Sequence, residues 1–476
     1  MKALPSRLII GGSLLVLLAA TVMASFFAQP LWLLLPVLLL ATCFLIQYPI
    51  ALFYVLLASI PWSIEYNFPS RLGTDLPDEP LMLLMAFTTI ALLLYHRKAF
   101  SIKQGLHPLL VFLLLQVLWI AITVILSTYF VLSAKYFLAK TWYLLAFVAA
   151  PLLLWRNEIV LKRSAIVLLA SMLVVTTVAL FRHAMLGFSF ADVNEALAPF
   201  FRNHVNYSAL LVFMLPLQVM CWQQATTKGL RWLITLSFLI TLPALYFAYA
   251  RGAWLAMIAG IIAYGLLRRR WLWQSFLLVV ILAITAVLWL WKNERYLQFA
   301  HDYQSTVFHE DFREHLAATY QLKDVSTAER FHRWIAGVRM AEDSWQSGFG
   351  PTTFYQHYKS YTVPAFKTWV SRNEEQSTVH NYFLLLLVEQ GVVGLLLFLA
   401  LLGGMFWYAQ RIYHCTDNVF WKRVSATVAV ILVMQCTLNF LSDLIETDKV
   451  GSIFYLCIAA LILADKRTRN TQNQNL

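Results

Sequence analysis

Charge is what this sequence has least of. Of 476 residues only 13% are Asp, Glu, Lys or Arg, against 60% hydrophobic, and the mean hydropathy is +0.67. A water-soluble fold has no interior large enough to hide that much apolar surface, so a soluble domain is excluded and a bilayer is implied. Short segments of alternating hydrophobicity are missing too, which excludes a membrane β-barrel. Cysteine is scarce: Cys43, Cys221, Cys415, Cys436 and Cys457 lie in or beside apolar runs, with no CxxC and no His/Cys spacing. Neither a disulfide framework nor a metal site is expected from them. The formal charge of +12 does not describe a nucleic-acid binder, because the Lys and Arg residues sit in small clusters between apolar runs.

What is present is a succession of apolar runs, interrupted once at length. Membrane spans are expected at roughly 8–28, 31–47, 50–64, 80–95, 108–127, 137–154, 164–181, 206–222, 231–249, 253–267, 272–291, 382–410, 424–440 and 450–464. Each must be helical, since lipid offers the backbone no hydrogen-bond partner. The run from Leu8 to Phe27 has a weakly basic lead but no clear cleavage site, and reads as a retained first span. The expected fold is therefore an all-α polytopic membrane protein of about 12–14 transmembrane helices with one large, partly helical loop. The chain divides into an N-terminal bundle (1–291), the large loop (292–379), C-terminal helices (380–464) and a tail (465–476) that reads as disordered.

Orientation follows from the basic residues. With the N-terminus in the cytoplasm, 19 of the 36 Lys and Arg fall in short cytoplasmic loops, seven fall at the opposite short loops, and ten lie in the long loop, which is outside the rule. Both termini are then cytoplasmic and residues 292–379 face the other side. Within that loop, STAERFHRWIAGVRMAEDSW has a helical apolar stripe of Phe331, Trp334, Ile335 and Val338, with Ser326 or Thr327 as N-cap. Arg330, Arg333 and His332 fall on its other face. FHEDFREHLAATYQLK reads as a second loop helix.

Basic groups recur on the non-cytoplasmic side. Arg251 opens a span in YARGAWLAMIAG, Arg202 and His204 precede another in FRNHVNYSALL, Lys135 and Lys140 start a third, Arg330 and Arg333 lie in the loop, and His380 closes it. Converging cations suit a diphosphate, for which Arg provides a fixed fork of donors. His380 is a candidate general base, Arg251 and Arg330 candidate stabilisers of a leaving diphosphate, and no metal is needed in such a scheme. Each has a plainer reading: Arg251 as a topology anchor, Arg330 as a paired helix-face charge, His380 as a helix cap. Glu389, in LLLLVEQGVVG, is either a buried catalytic acid or part of a helix broken at Gly391 and Gly394. Asp443, Glu446 and Asp448 could hold an acceptor or pair with the cations.

Three stretches carry a resemblance: ARGAWLAMIAGIIAYGLLRRR, TAERFHRWIAGVRMAEDSWQSGFGPTTF and HNYFLLLLVEQGVVGLLLFL. In this order across a long loop they resemble the O-antigen ligase and Wzy-type polymerase superfamily of bacterial inner-membrane glycosyltransferases. The resemblance implies transfer of a glycan from undecaprenyl diphosphate to lipid A-core, to another glycan or to a protein, by an inverting reaction without metal or other cofactor. It places the essential groups on Arg251, Arg330 and His380. From the residues themselves, Lys135, Lys140, Arg202, His204, Arg333, Asn381 and Glu389 are candidate substrate or diphosphate contacts. Two departures stand out: Ser344-Trp345-Gln346-Ser347 replaces the family's frequent Pro before Gly-x-Gly, and fourteen spans exceed its usual twelve. The favoured expectation is an O-antigen ligase in the inner membrane, its partners the lipid-linked donor, the acceptor, the bilayer and other polysaccharide assembly proteins. A polymerase, a protein O-oligosaccharyltransferase and, in a different class, a transporter of lipid-linked glycans are the alternatives. Candidate cations gathered on one face favour an enzyme over a transporter.

Overall fold

The computed structural model describes residue 42 and residues 46–67, 73–95, 106–299, 325–367, 371–373 and 376–474. The expected spans 8–28 and 31–47, apart from three residues of the second, and the loop helix FHEDFREHLAATYQLK lie outside them. Every run expected from residue 80 onward is helical, and the run expected at 50–64 is helical as far as Trp62. α1 is Pro49–Ser59, α2 Asp78–Tyr95, α3 Pro108–Leu126, α4 Phe130–Leu154, α5 Glu158–Met185, with a short α6, Val193–Leu197. α7 is His204–Gln223, α8 Lys228–Phe247, α9 Arg251–Arg268 and α10 Leu272–Trp291. Ten described helices are long and apolar enough to cross a membrane. The protein is an all-α polytopic membrane protein.

Local chemistry sets the helix ends. Asn157, Asn203, Thr227, Asn381 and Asn418 each accept a backbone N–H of the following first turn, the capping that Asn and Thr favour. α4 changes pitch through one π turn at Leu145–Ala149, just before Pro151, whose missing N–H suits that relaxed ladder. The sequence pattern shows no strand, yet Ile64–Asn67 (β1) and Gly73–Leu76 (β2) form an antiparallel hairpin, Ile64 opposite Leu76. Four-residue strands are too short to leave a readable alternation.

The second half begins with α11, Val325–Asp343, and the short α12, Phe354–His357. α13 (Tyr382–Cys415), α14 (Val419–Leu441) and α15 (Asp448–Gln474) complete the bundle. Among the ten spanning helices α7 and α14 are the most enclosed, each with 67% of its most apolar window buried, whereas α10 has 6%. α9 lies along α14, with Gly252 against Leu438 and Leu441 and Gly260 against Val430 and Met434. The tail expected to be disordered is helical as far as Gln474. An i,i+4 pair between Asp465 and Arg469 at 2.7 Å and an Arg467 bond to the Arg156 carbonyl at 2.5 Å support that extension.

Candidate active site

The chain just after α14 is a meeting point. Leu441 side-chain carbon lies 3.5 Å from the position a Cβ on Gly252 would take, so the first turn of α9, which carries Arg251, rests beside the end of α14. From the loop side, Arg330 Nε donates to the Leu441 carbonyl at 3.1 Å. One residue on, the Ser442 carbonyl accepts Tyr382 N–H at 3.0 Å, which fixes the start of α13 to the same strand of chain. Asp443 then places Oδ1 3.9 Å from Nδ1 of His380. Arg330 and His380, and through Gly252 the backbone that carries Arg251, are thereby brought from three distant stretches of sequence to Leu441–Asp443.

His380 is held in an unusual state. Its φ of 53° is in the left-handed region, and its side chain keeps 34% exposure, so the ring sits in a recess open on one side. Burial first, and then the Arg333 and Arg330 guanidiniums, push its pKa down to about 3. Arg333 Nη1 lies 3.0 Å from His380 Nε2 and also donates to the Thr378 carbonyl at 3.1 Å. Guanidinium has no lone pair to offer, so Nε2 is the acceptor and the neutral ring carries its proton on Nδ1, toward Asp443. Burial holds the Asp443 carboxyl above its ordinary pKa, while the Thr378 hydroxyl and Arg333 pull it the other way.

Arg333 is itself pinned. Its Nε donates to Glu329 Oε1 at 3.2 Å, one helical turn earlier, and Ser371 Oγ donates to Glu329 Oε2 at 2.7 Å. Glu329 and Arg333 are 6% and 5% exposed. The basic face expected of α11 is thus turned inward, and His332 is buried with it. Sequence reasoning passed over the Glu329–Arg333 link, although acid and base stand four residues apart as a helix pair requires.

Glu389 and Asn381 have structural employment. Asn381 Oδ1 caps α13 by accepting Leu384 N–H at 3.0 Å. Glu389 accepts Thr352 N–H at 2.8 Å and Phe354 N–H at 3.2 Å, and lies buried beneath the Gly348-Phe349-Gly350 turn. That turn also donates Phe349 N–H and Gly350 N–H to the carbonyls of Val388 and Glu389, both at 2.9 Å. In return Val392 N–H reaches the Trp345 carbonyl at 2.8 Å. The exchange is possible because α13 breaks at Gly391, whose φ of 68° and ψ of −173° suit only glycine. A Cβ there would lie 2.1 Å from the Gln346 carbonyl oxygen, and one on Gly348 would lie 2.4 Å from the Glu389 carbonyl carbon. The glycines of the two motifs serve one backbone-to-backbone joint.

The remaining candidates have other surroundings. Lys140 pairs with Glu446 Oε2 at 2.9 Å, and Tyr136 donates to the other oxygen at 3.1 Å, so this lysine ties α4 to the loop after Asp443. Lys135 and Arg202 are exposed. His204 Nδ1 lies 3.1 Å from Asn194 Oδ1, whose oxygen also accepts the His204 N–H. Among the described residues the groups at hand for an anion are Arg251, Arg330 and Arg333, and those for proton transfer are His380 and Asp443.

Residues 236–399 match the family described as O-Antigen ligase. The matched stretch runs from within α8 to within α13, taking in Arg251, Arg330, Arg333, His380 and Glu389; Asp443 lies beyond it. No curated protein matches the chain.

Proposed function

We propose, given that residues 236–399 form a domain of the O-antigen ligase family, that this protein is a glycosyltransferase of the bacterial inner membrane whose site faces the periplasm. It moves a glycan from undecaprenyl diphosphate to an acceptor hydroxyl, with lipid A-core as the favoured acceptor. The observation that carries this reading is the gathering of Arg251, Arg330, Arg333 and His380 around Leu441–Asp443.

The acceptor oxygen attacks the anomeric carbon from the face opposite the diphosphate, the bond to the diphosphate oxygen breaks, and the configuration inverts. Arg251 and Arg330 stabilise the charge that accumulates on the departing diphosphate, as guanidinium forks do in a water-poor site. No metal is required in that role. The hydroxyl proton passes to His380, which is neutral at working pH. In the resting arrangement Arg333 covers Nε2. When an anionic donor enters, Arg333 turns its Nη1 toward the diphosphate and frees Nε2, while Asp443 steadies the imidazolium through Nδ1–H. Glu389 and His204 are poor alternatives for the base, since the first is spent on two backbone N–H groups and the second is bonded to Asn194.

The test is transfer by purified protein from undecaprenyl-diphosphate glycan, with lipid A-core and unattached repeat units offered as rival acceptors. Glycan on lipid A-core supports the ligase. Lengthened lipid-linked chains without that product assign a polymerase instead, and absence of any transfer removes the reading.

A further inference from the structure

A second polar centre lies where the β1–β2 hairpin, the start of α2 and the start of α15 come together. Asp75, Asp78 and Asp448 each present a carboxylate oxygen there, and the three oxygens lie within 4.8 Å of one another. Among the described residues no Lys, Arg or His makes an ion pair with any of them. The neighbouring cation, Lys449, offsets part of their charge through space, while its Nζ bonds the carbonyls of Ser63 at 2.8 Å, Pro61 at 3.4 Å and Phe200.

Acidic residues alone would not define a ligand site. The independent observation is Ser63. It is 1% exposed, its hydroxyl faces the Asp78 carboxyl outside hydrogen-bond geometry, and Ser63 Oγ has no partner. Asp78 is fully buried and its Oδ2 likewise has none, although Oδ1 accepts Glu79 N–H at 3.0 Å. Two buried oxygens without donors, one of them an uncharged hydroxyl, flank a concentration of negative charge. What sets these two apart is that both border three converging carboxylates, where a bound cation would satisfy them.

We infer that Ser63, Asp75, Asp78 and Asp448 form a binding site for a hard divalent cation, calcium in preference to magnesium. All the donors are oxygens, which hard cations prefer. Calcium is favoured because three protein carboxylates converge there, whereas Mg²⁺ keeps most of its waters and is usually held through one or two carboxylates. The ion would lock the start of α15 against the hairpin and α2. It has no part in the transfer reaction, and the inference stands or falls separately from the glycosyltransferase reading.

Trp62 adjoins Ser63, and Tyr143 donates to the Asp448 carbonyl, so either ring can sensitise bound Tb³⁺. The full-length protein in detergent, stripped with EDTA and freed of phosphate, is titrated with Tb³⁺ and then with CaCl₂ or MgCl₂ at constant ionic strength. The expected result is sensitised emission displaced by Ca²⁺ at concentrations at least about tenfold lower than Mg²⁺. The thermal midpoint should rise by about 3 °C or more with saturating Ca²⁺. Asp78→Asn and Asp448→Asn should lose both effects, and Ser63→Ala should weaken Ca²⁺ several-fold. Should Asp78→Asn fail to fold, Asp448→Asn and the wild-type displacement decide. Absence of Ca²⁺-displaceable emission in wild type, equal displacement by Mg²⁺, or unchanged emission in the variants would overturn the inference.

Discussion

His380 and Glu389 are nine positions apart in one motif, and their surroundings are opposite. His380 keeps a third of its surface open, faces Arg333 on one nitrogen and Asp443 on the other, and is kept neutral by burial and then by Arg333 and Arg330. Glu389 is enclosed, and its carboxylate receives two backbone N–H groups from the Gly348–Phe354 stretch. The difference teaches that titratable residues in one signature need not share one task. On the proposed function one end of this signature is the reactive one, and the other is a joint that ties the loop, and with it α11, to α13.

The contrast is broken most severely at His380. His380→Ala should lower turnover by about a thousandfold, the scale of a lost general base, with the thermal midpoint little changed. Arg251→Ala and Arg330→Ala should each cost about a hundredfold in turnover while membrane expression persists, measured by product per folded protein. At the joint the signature inverts. Gly391→Ala should destabilise the fold by about 3 kcal/mol or more, because a Cβ meets the Gln346 carbonyl in a conformation only glycine tolerates. Glu389→Gln should cost about 1–3 kcal/mol, since an amide can accept only on one atom, and turnover per folded molecule should hold at low temperature. A thousandfold loss with no loss of stability would transfer Glu389 to the reactive side.

A subtler separation is by pH. His380 should show no titration by histidine-selective NMR between pH 5 and 8, and Arg333→Gln should raise its pKa toward the ordinary value. Because the folded-state value lies below that of the unfolded chain, the ring's contribution to stability is complete above about pH 6.5 and is lost as pH falls through the interval down to about 3. The smallest effects belong to Lys135→Ala and Arg202→Ala, exposed and away from Leu441–Asp443. Each should change turnover by less than about threefold, and a large rise in KM for either would extend the binding surface to it.

The spans were legible because a bilayer leaves a coarse mark, and twenty apolar residues are hard to mistake. His380, Arg251 and Arg330 were legible as isolated candidates, since a charge beside an apolar run is costly. What a linear reading does not contain is the distance between them. The carbonyls of Leu441 and Ser442 organise the site, and a backbone carbonyl has no letter of its own. The structural bonds of Asn381 and Glu389 were illegible for a related reason: their partners are backbone N–H groups from positions no pattern singles out. The hairpin at Ile64–Leu76 and the helical extension to Gln474 depended on short pairings of the same kind.

The near-bare flank of α10 has a consequence for how the sequence can drift. With only 6% of its most apolar window buried, Leu272–Trp291 meets acyl chains where α14 meets other side chains. Acyl chains are fluid and conform to any apolar outline, so Leu, Ile, Val and Phe are interchangeable along most of α10 at little cost. α14 is a keyed surface in which a one-methylene change is felt by Gly260 and its neighbours. Saturation mutagenesis should therefore trace two alphabets: a permissive one filtered by hydrophobicity for the strut that leads into the large loop, and a restrictive one filtered by shape for the post on which the site is hung.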